Sequence, residues 1–236
     1  INSTVNSGST GRMAEGIGIA AIENGFESYI AAAYTNRPSQ SIVIKIGGNL
    51  DRKLHGLKTR LCDRHGFGSK RATKKLISSI TEIKPDIIHM HNIHGYYLNI
   101  DILFTFLKKS SIPVVWTLHD CWPFTGHCSY FDAVNCMKWQ TECHHCPNRN
   151  GYPKSWFVDN SRANFHKKKE LFNGIENLTI VVPSKWLSEH VKFSFLKSYP
   201  VLTIYNGVDI DVFRPLESET IRQKYGITGN KIVLGV

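Results

Sequence analysis

The sequence lacks any long apolar run: no stretch approaches the roughly 18 residues that a helix needs to span a bilayer. It also lacks a charged-then-apolar leader followed by a small-residue cleavage site, so we expect a protein that is neither exported nor embedded in a membrane. Internal repeats and low-complexity tracts are absent as well. With 236 residues, 42% hydrophobic and 20% charged, the chain is long enough to bury a full core.

Acidic residues are scarce relative to basic ones. The 19 Asp and Glu face 29 Lys and Arg, which gives a formal net charge of +10. A positive surface favours phosphate-bearing ligands, nucleic acid or an anionic membrane face. The basic residues are densest between positions 52 and 75, whereas the cysteine-rich stretch 121–147 holds only Lys138. Because a zinc-containing nucleic-acid binder would concentrate basic residues among its cysteines, we expect no nucleic-acid partner.

Short β-branched runs alternate with segments of helical period along the chain. This alternation predicts an α/β fold with a doubly wound, mostly parallel sheet and right-handed crossovers. Residues 1–4 look like the end of a strand whose beginning is missing, and Lys231 to Val236 looks like a strand that follows an extended linker. The expected strands lie at 1–4, 28–33, 42–46, 85–92, 113–118, 178–182 and 201–204, and the expected helices at 13–24, 51–62, 69–83, 98–109, 160–172, 184–191 and 220–225.

A glycine-rich turn follows the first strand and opens into a helix whose apolar face carries Met13, Ile17, Ala20 and Ala21. A strand, a glycine turn and a helix amino terminus bind phosphate through free backbone N–H groups and the helix dipole. The alternative is a tight turn that needs two glycines for its backbone alone. The spacing matches neither of the common nucleotide-binding glycine motifs. The candidate phosphate-binding residues are Gly8, Ser9, Thr10, Gly11 and Arg12.

Polar side chains follow two neighbouring strands of the predicted sheet. His91, Asn92 and His94 come after one strand, and His119 and Asp120 come directly after the next. Carboxyl ends of parallel strands meet at one edge, which is where open α/β sheets place ligands. We expect His119 to position a bound hydroxyl, or else to bond to its own loop, and Asp120 to orient His119 or to cap a turn. Tyr96 and Trp122 are candidate aromatic contacts at the same rim.

Five of the six cysteines lie between positions 121 and 146, in a stretch with almost no helical period. Without a secretion signal they are not expected to form a disulfide framework. We favour a structural zinc ion, because a long irregular segment needs a cross-link to stabilise it. The last two cysteines also form a C-x-x-C half-site, which is typical of zinc ligands. A redox pair at the last two cysteines and unligated, packed thiols are the alternatives. The candidate ligands are Cys128, Cys136, Cys143 and Cys146.

Five stretches follow one another almost from end to end of the chain: Gly8 to Arg12, Pro85 to Asn92, Thr117 to Asp120, Pro183 to Leu187, and Asn206 to Asp209 with Phe213 and Pro215. In this order they resemble the amino-terminal domain of glycosyltransferase family 4, in which two Rossmann-like domains form the GT-B fold. The stretch Cys-Trp-Pro-Phe-Thr-Gly-His-Cys resembles the subset that builds capsule, exopolysaccharide or O-antigen chains.

The resemblance implies a retaining transfer of a sugar from a nucleotide-sugar to a glycan acceptor, with no metal at the reaction centre. The expected acceptor is linked to a polyprenyl diphosphate. The resemblance also implies a Rossmann-like acceptor-side domain over 1–212, with 213–236 as linker and first strand of a truncated nucleotide-sugar-binding domain, so that this chain alone would not turn over. By position, Gly8 to Arg12 would approach the donor diphosphate and His119 would lie beside the transferred sugar. Asn206 and Asp209 belong to the linker motif.

The positive surface and the implied acceptor together predict peripheral contact with an anionic membrane, on the cytoplasmic side of the inner membrane. Two alternatives come from other functional classes. One is a zinc-stabilised nucleic-acid-binding domain, and the other is a non-catalytic interaction domain.

Overall fold

The computed structural model describes residues 1–215 and 219–229. The chain divides into two compact units, Ile1–Tyr205 and Asn206–Val236. The strand predicted at 231–236 lies outside the described residues. No helix within them is long and apolar enough to cross a bilayer.

Strands and helices alternate through the first unit, as the sequence predicts. Most bounds fall within two residues of the expected ones. The strands are β1 (Asn2–Thr4), β2 (Tyr29–Tyr34), β3 (Ile42–Lys45), β4 (Ile88–Met90), β5 (Val114–Thr117), β6 (Leu178–Val182) and β7 (Val201–Thr203). The helices are α1 (Gly8–Glu23), α2 (Asn49–Cys62), α3 (Lys70–Ile83), α4 (Ile100–Lys109), α5 (Ser161–Phe172), α6 (Lys185–Phe193) and, in the second unit, α7 (Glu219–Lys224).

All paired strands are parallel, which confirms the predicted α/β class. Two sheets, β1-β2-β3 and β4-β5-β6-β7, meet at Ile1, whose amino group donates to the carbonyl of His89 (2.6 Å) and whose carbonyl accepts from the amide of His91 (2.9 Å). The strands therefore follow one another as β3-β2-β1-β4-β5-β6-β7, which is a Rossmann-like order. The order reverses between β1 and β4, and such a switch point opens a crevice at the carboxyl ends of the strands.

One part of the core lies between the second sheet and the helices α4 and α5. Trp116 of β5 is fully buried and packs against Phe104 of α4 and Phe172 of α5, with ring centroids 5.4 and 5.0 Å apart. Large aromatic groups contribute most of the apolar area here, so they fix β5 and the residues that follow it.

Helix α1 packs against the first sheet through small residues. Its buried face consists of Gly11, Ala14, Glu15 and Gly18, so the apolar face predicted at Met13, Ile17, Ala20 and Ala21 is wrong. A Cβ at Gly18 would lie 2.4 Å from the Ser41 hydroxyl oxygen. The helix thus approaches the sheet too closely for larger side chains, and close approach overrides hydrophobic periodicity as the signal for burial.

Two serines that directly precede helices have different roles. Ser184 caps α6, because its hydroxyl accepts a hydrogen bond from the amide of Leu187. Ser69 precedes α3 but makes no capping bond, and its φ of 49° is left-handed. Its hydroxyl instead lies 3.0 Å from Nδ1 of His55 and donates to the carbonyl of Tyr96. Ser69 therefore joins α2 to the loop after β4.

The stretch between β5 and α5 contains three short 3-10 helices, Trp122–Phe124, Asp132–Val134 and Lys138–Gln140. Its backbone folds on itself: the amide of Cys121 donates to Ser129, and the amide of Ser129 donates to Tyr152. These bonds hold the segment over the carboxyl end of β5.

Candidate functional site

The carboxyl ends of β4 and β5 bring two histidines together. Nδ1 of His91 lies 3.1 Å from Nε2 of His119, and the two rings are nearly parallel, at 16°. His91 is buried and His119 is half-buried. The partner of His119 therefore comes from the neighbouring strand, whereas the alternative expectation placed it in its own loop.

Burial keeps these imidazoles neutral. Burial lowers the pKa of His91 to about 2 and that of His89 to about 4, and it lowers the pKa of His119. A neutral imidazole has one N–H donor and one acceptor nitrogen. In the His91–His119 hydrogen bond one ring donates and the other accepts, so the tautomer of one ring fixes the tautomer of the other.

Asp120 is buried, but its hydrogen bonds do not go to His119. One carboxylate oxygen lies 2.8 Å from Nε2 of His94, and the other accepts from the amide of Trp122 (2.9 Å). Burial alone would raise the pKa of Asp120, but His94 and the Trp122 amide leave it below its usual value. The predicted orientation of His119 by Asp120 is wrong: Asp120 orients His94 and caps the turn that follows it.

His94 belongs to a cluster of rings that sequence reasoning missed in part. Nδ1 of His94 lies 3.4 Å from the Tyr152 hydroxyl. His65 packs against the rings of Tyr96 (4.8 Å) and Tyr152 (5.6 Å) and accepts a hydrogen bond from the amide of Gly95. Tyr96 and Tyr152 are both partly exposed. This edge of the sheet thus presents aromatic faces together with polar ring atoms.

Trp122 is not a rim residue. It is fully buried, and the Lys168 ammonium lies 3.5 Å from its ring. The same ammonium donates to the carbonyls of Trp122 and Thr125, and burial lowers the pKa of Lys168 to about 7. Trp122 therefore packs against the cluster of rings from the core side. The prediction that it is an aromatic contact at the rim is wrong.

The predicted phosphate loop forms the first turn of α1. Residues Gly8, Ser9, Thr10, Gly11 and Arg12 are already helical, and the turn itself is formed by Asn6 and Ser7. A Cβ at Gly11 would lie 2.4 Å from the Thr4 hydroxyl oxygen, so only glycine allows this close approach of α1 to β1. Arg12 is exposed. The helix begins at the carboxyl end of β1, at the same edge as the histidines.

Two further groups of predicted residues have simpler surroundings. Asn92 is half-buried, and its carbonyl accepts a hydrogen bond from the Tyr97 hydroxyl (2.6 Å). Asn206 and Asp209 are exposed and lie in the second unit. The Asp209 carboxylate accepts from the amides of Asp211 and Val212, which closes a local turn.

The four candidate cysteine ligands line one cavity of about 10 Å³. Among residues 1–215 and 219–229, no three His, Cys, Asp or Glu side chains already form a set that holds a metal ion. The structure thus gathers the thiols of Cys128, Cys136, Cys143 and Cys146 in one place without a formed coordination shell.

Comparison with known proteins adds a family. A family model described as Glycosyltransferase Family 4 matches residues 11–212. The chain is 30% identical over 223 residues to a protein of Escherichia coli (strain K12) named "Putative colanic acid biosynthesis glycosyl transferase WcaC". The match covers 84% of this chain and 53% of that protein. The chain therefore spans about half the length of the curated relative that it matches.

Proposed function

The chain belongs to glycosyltransferase family 4, and we propose that it serves a retaining transfer of a sugar from a nucleotide-sugar to a glycan acceptor in the synthesis of a bacterial surface polysaccharide. The meeting of His91 and His119 at the carboxyl ends of β4 and β5, beside the switch point of the sheet, carries this proposal. The name of the E. coli relative, which refers to colanic acid biosynthesis, supports the polysaccharide pathway.

In this proposal His119 positions the sugar at the reaction centre. Its ring is half-buried and neutral, so the nitrogen not bonded to His91 can exchange a hydrogen bond with a hydroxyl. His91 fixes which nitrogen of His119 carries the proton. Asp120 holds His94 in place through a hydrogen bond, and His94 belongs to the cluster of rings beside the histidine pair. None of these groups needs to gain or lose a proton for such a role.

The first turn of α1 faces the diphosphate of the donor. The Ser7 side chain accepts no hydrogen bond from the first amides of α1, so it does not compete with a ligand for these amides. These amides and the positive end of the helix dipole stabilise negative charge. A retaining transfer depends on stabilising the departing diphosphate, and Arg12, exposed in the same turn, adds a positive charge there.

We propose that the acceptor is linked to a lipid and reaches the site from an anionic membrane on its cytoplasmic side. Helix α2 supports this placement, because Leu50, Leu54, Leu57 and Leu61 repeat at helical spacing and are all exposed, Leu50 at 71%. Lys53, Lys58 and Arg60 lie on the same helix. An exposed apolar stripe with basic neighbours is typical of helices that lie in a membrane interface.

Exposed aromatic residues continue this surface beyond the end of α2. The amide of Trp156 donates to the carbonyl of Arg60 (2.7 Å), and the Arg60 guanidinium lies 5.8 Å from the Trp156 ring. Phe157 is 71% exposed. The opposite face of α2 reaches the site, since His55 packs against Tyr96. One helix therefore connects the proposed membrane surface with the site.

The membrane part is tested by vesicle sedimentation. The chain should bind vesicles rich in phosphatidylglycerol, less with added salt, and bind poorly to phosphatidylcholine alone. The double variant Leu54→Glu and Leu57→Glu should lose binding about tenfold or more, whereas Leu202→Glu, an equally exposed leucine on β7, should not. Equal binding by all three proteins would contradict the proposed surface.

The transfer itself is tested with the full-length protein and a panel of labelled nucleotide-sugars, with membrane extract as acceptor. Label should enter the lipid fraction with one donor, and NMR should show the anomeric configuration of that donor in the product. Inversion of the configuration would contradict the retaining mechanism. Label in a soluble product alone would contradict the lipid-linked acceptor.

A further inference from the structure

Four cysteines that lie apart in the sequence line a single small cavity. Cys128, Cys136, Cys143 and Cys146 are separated by seven, six and two residues, yet all four border the same space of about 10 Å³. A space of this size holds about one water molecule or one ion. It is too small for an iron–sulfur cluster of several atoms. The cavity lies outside the histidine site described above.

The sulfur of Cys143 already receives a hydrogen bond from the backbone. The amide of Gly126 lies 3.2 Å from Cys143 Sγ, and an N–H donor stabilises the thiolate form that binds metals. Only glycine fits at position 126, because a Cβ there would lie 2.1 Å from the carbonyl oxygen of Ser161 and 2.7 Å from the Cys143 side chain. The backbone of Gly126 therefore lies in close contact with the side chain of Cys143.

A buried histidine supplies the second observation. His127 lines the cavity and is 2% exposed. Its Nδ1 lies 2.5 Å from a carboxylate oxygen of Asp63, while its Nε2 has no hydrogen-bond partner among the residues that the structure describes. Carboxylates that hold one nitrogen of a histidine are common in the shell of residues around zinc sites. A buried polar atom without a partner indicates a missing ligand.

The surrounding charges suit an anionic centre. The Lys168 ammonium is buried and donates to the carbonyl of Thr125 (3.1 Å), which also lines the cavity. A zinc ion with four thiolates carries a net charge of about −2. A positive charge on Lys168 offsets part of that charge, and the anionic centre in turn favours the charged form of this lysine.

We propose that Cys128, Cys136, Cys143 and Cys146 bind one structural zinc ion in this cavity, and that the unpartnered Nε2 of His127 forms a hydrogen bond with one of these thiolate ligands. No described set of three side chains already has the arrangement that holds a metal, so the thiols rotate into the cavity when the ion binds. Four soft ligands in a closed site favour zinc over magnesium or calcium. The ion cross-links the segment that lies between Asp120 and Tyr152.

Metal analysis of the purified full-length protein tests this proposal. We expect about one zinc per chain in the wild type and in Cys62→Ser, since Cys62 is exposed and lies outside the cavity. Cys143→Ser should fall below about 0.2 zinc per chain. Replacement of the ion by Co²⁺ should produce sulfur-to-metal charge-transfer absorption in the near ultraviolet, as expected for thiolate ligands.

Because Cys143→Ser could also fail to fold, the wild type gives a second measurement. Protein stripped by a chelator under native conditions should bind one Co²⁺ and release it to Zn²⁺. Failure of the stripped, reduced wild type to bind either metal would overturn the proposal, and so would iron with inorganic sulfide in place of zinc. Equal zinc content in Cys143→Ser and the wild type would also overturn it.

Discussion

Nδ1 of His91 lies 3.1 Å from Nε2 of His119, across the carboxyl ends of two adjacent parallel strands. Both rings are neutral near pH 7, because burial lowers both pKa values. The bond therefore has one donor and one acceptor, and the buried His91 sets the tautomer of the half-buried His119. In the proposed function, His91 is therefore a positioning residue and His119 is the residue that meets the substrate.

Replacement of His91 should affect catalysis through His119. His91→Gln should lower kcat about tenfold with little change in KM, because the sugar still binds but the proton position on His119 is no longer fixed. His166→Gln is the matched control, since His166 is an exposed histidine on α5. A raised KM at unchanged kcat would instead indicate that His91 contacts the substrate.

The two glycines of α1 should respond in opposite ways to alanine. Gly11→Ala should destabilise the chain by about 1–3 kcal/mol, because its Cβ would lie 2.4 Å from the Thr4 hydroxyl oxygen. Gly16→Ala meets nothing within 4 Å and should stabilise it by about 0.5–1 kcal/mol. Urea unfolding measures both. Equal changes in the free energy of unfolding for the two variants would show that α1 does not pack closely against the end of β1.

Asp120→Asn should weaken the hydrogen bond that holds His94 in place. Loss of a charge-assisted hydrogen bond should cost about 2 kcal/mol at pH 7. The pKa of Asp120 is lowered in the folded chain, so its contribution is present above the usual carboxyl range and is lost as the pH falls below it. The difference from the wild type should therefore shrink below about pH 4. Asp132→Asn, at an exposed position of the same segment, should show no such difference.

His55 should make the chain sensitive to mild acid. Burial lowers its pKa to about 4, and its Nε2 accepts a hydrogen bond from the Gly68 amide, so protonation removes an acceptor. The unfolded chain binds a proton more readily between pH 6.5 and 4, so stability falls as the pH falls through this range. His55→Gln should lose roughly 2 kcal/mol less than the wild type between pH 7 and 5. An identical loss in both proteins would exclude His55 as the cause.

Much of the first unit follows from the sequence in physical terms. Val114 to Thr117 is a short β-branched run with an aromatic residue, so it predicts a buried parallel strand, and His119 then falls at its carboxyl end whatever the details of packing. The same reasoning places His91 on the neighbouring strand. Local pattern and chain direction are enough for these positions.

The contacts within the site depend on long-range packing, which no local pattern contains. His65 and Tyr152 come from distant segments and meet only after folding. As a large aromatic residue close to the strand end, Trp122 is expected at the rim of the site. Its ring lies in the core instead, against the ammonium of the buried Lys168. On α1 the close approach to the sheet, visible only in three dimensions, selects small residues over the apolar stripe.

The most direct test of the transfer centre is the rate of sugar transfer by full-length protein carrying His119→Ala, compared with His166→Ala and the wild type, using the donor selected from the nucleotide-sugar panel. We expect His119→Ala to fall about 100-fold in kcat/KM while its unfolding free energy stays close to that of the wild type, and His166→Ala to retain full activity. Wild-type turnover in His119→Ala would contradict the assignment of the strand-end histidines to the reaction centre.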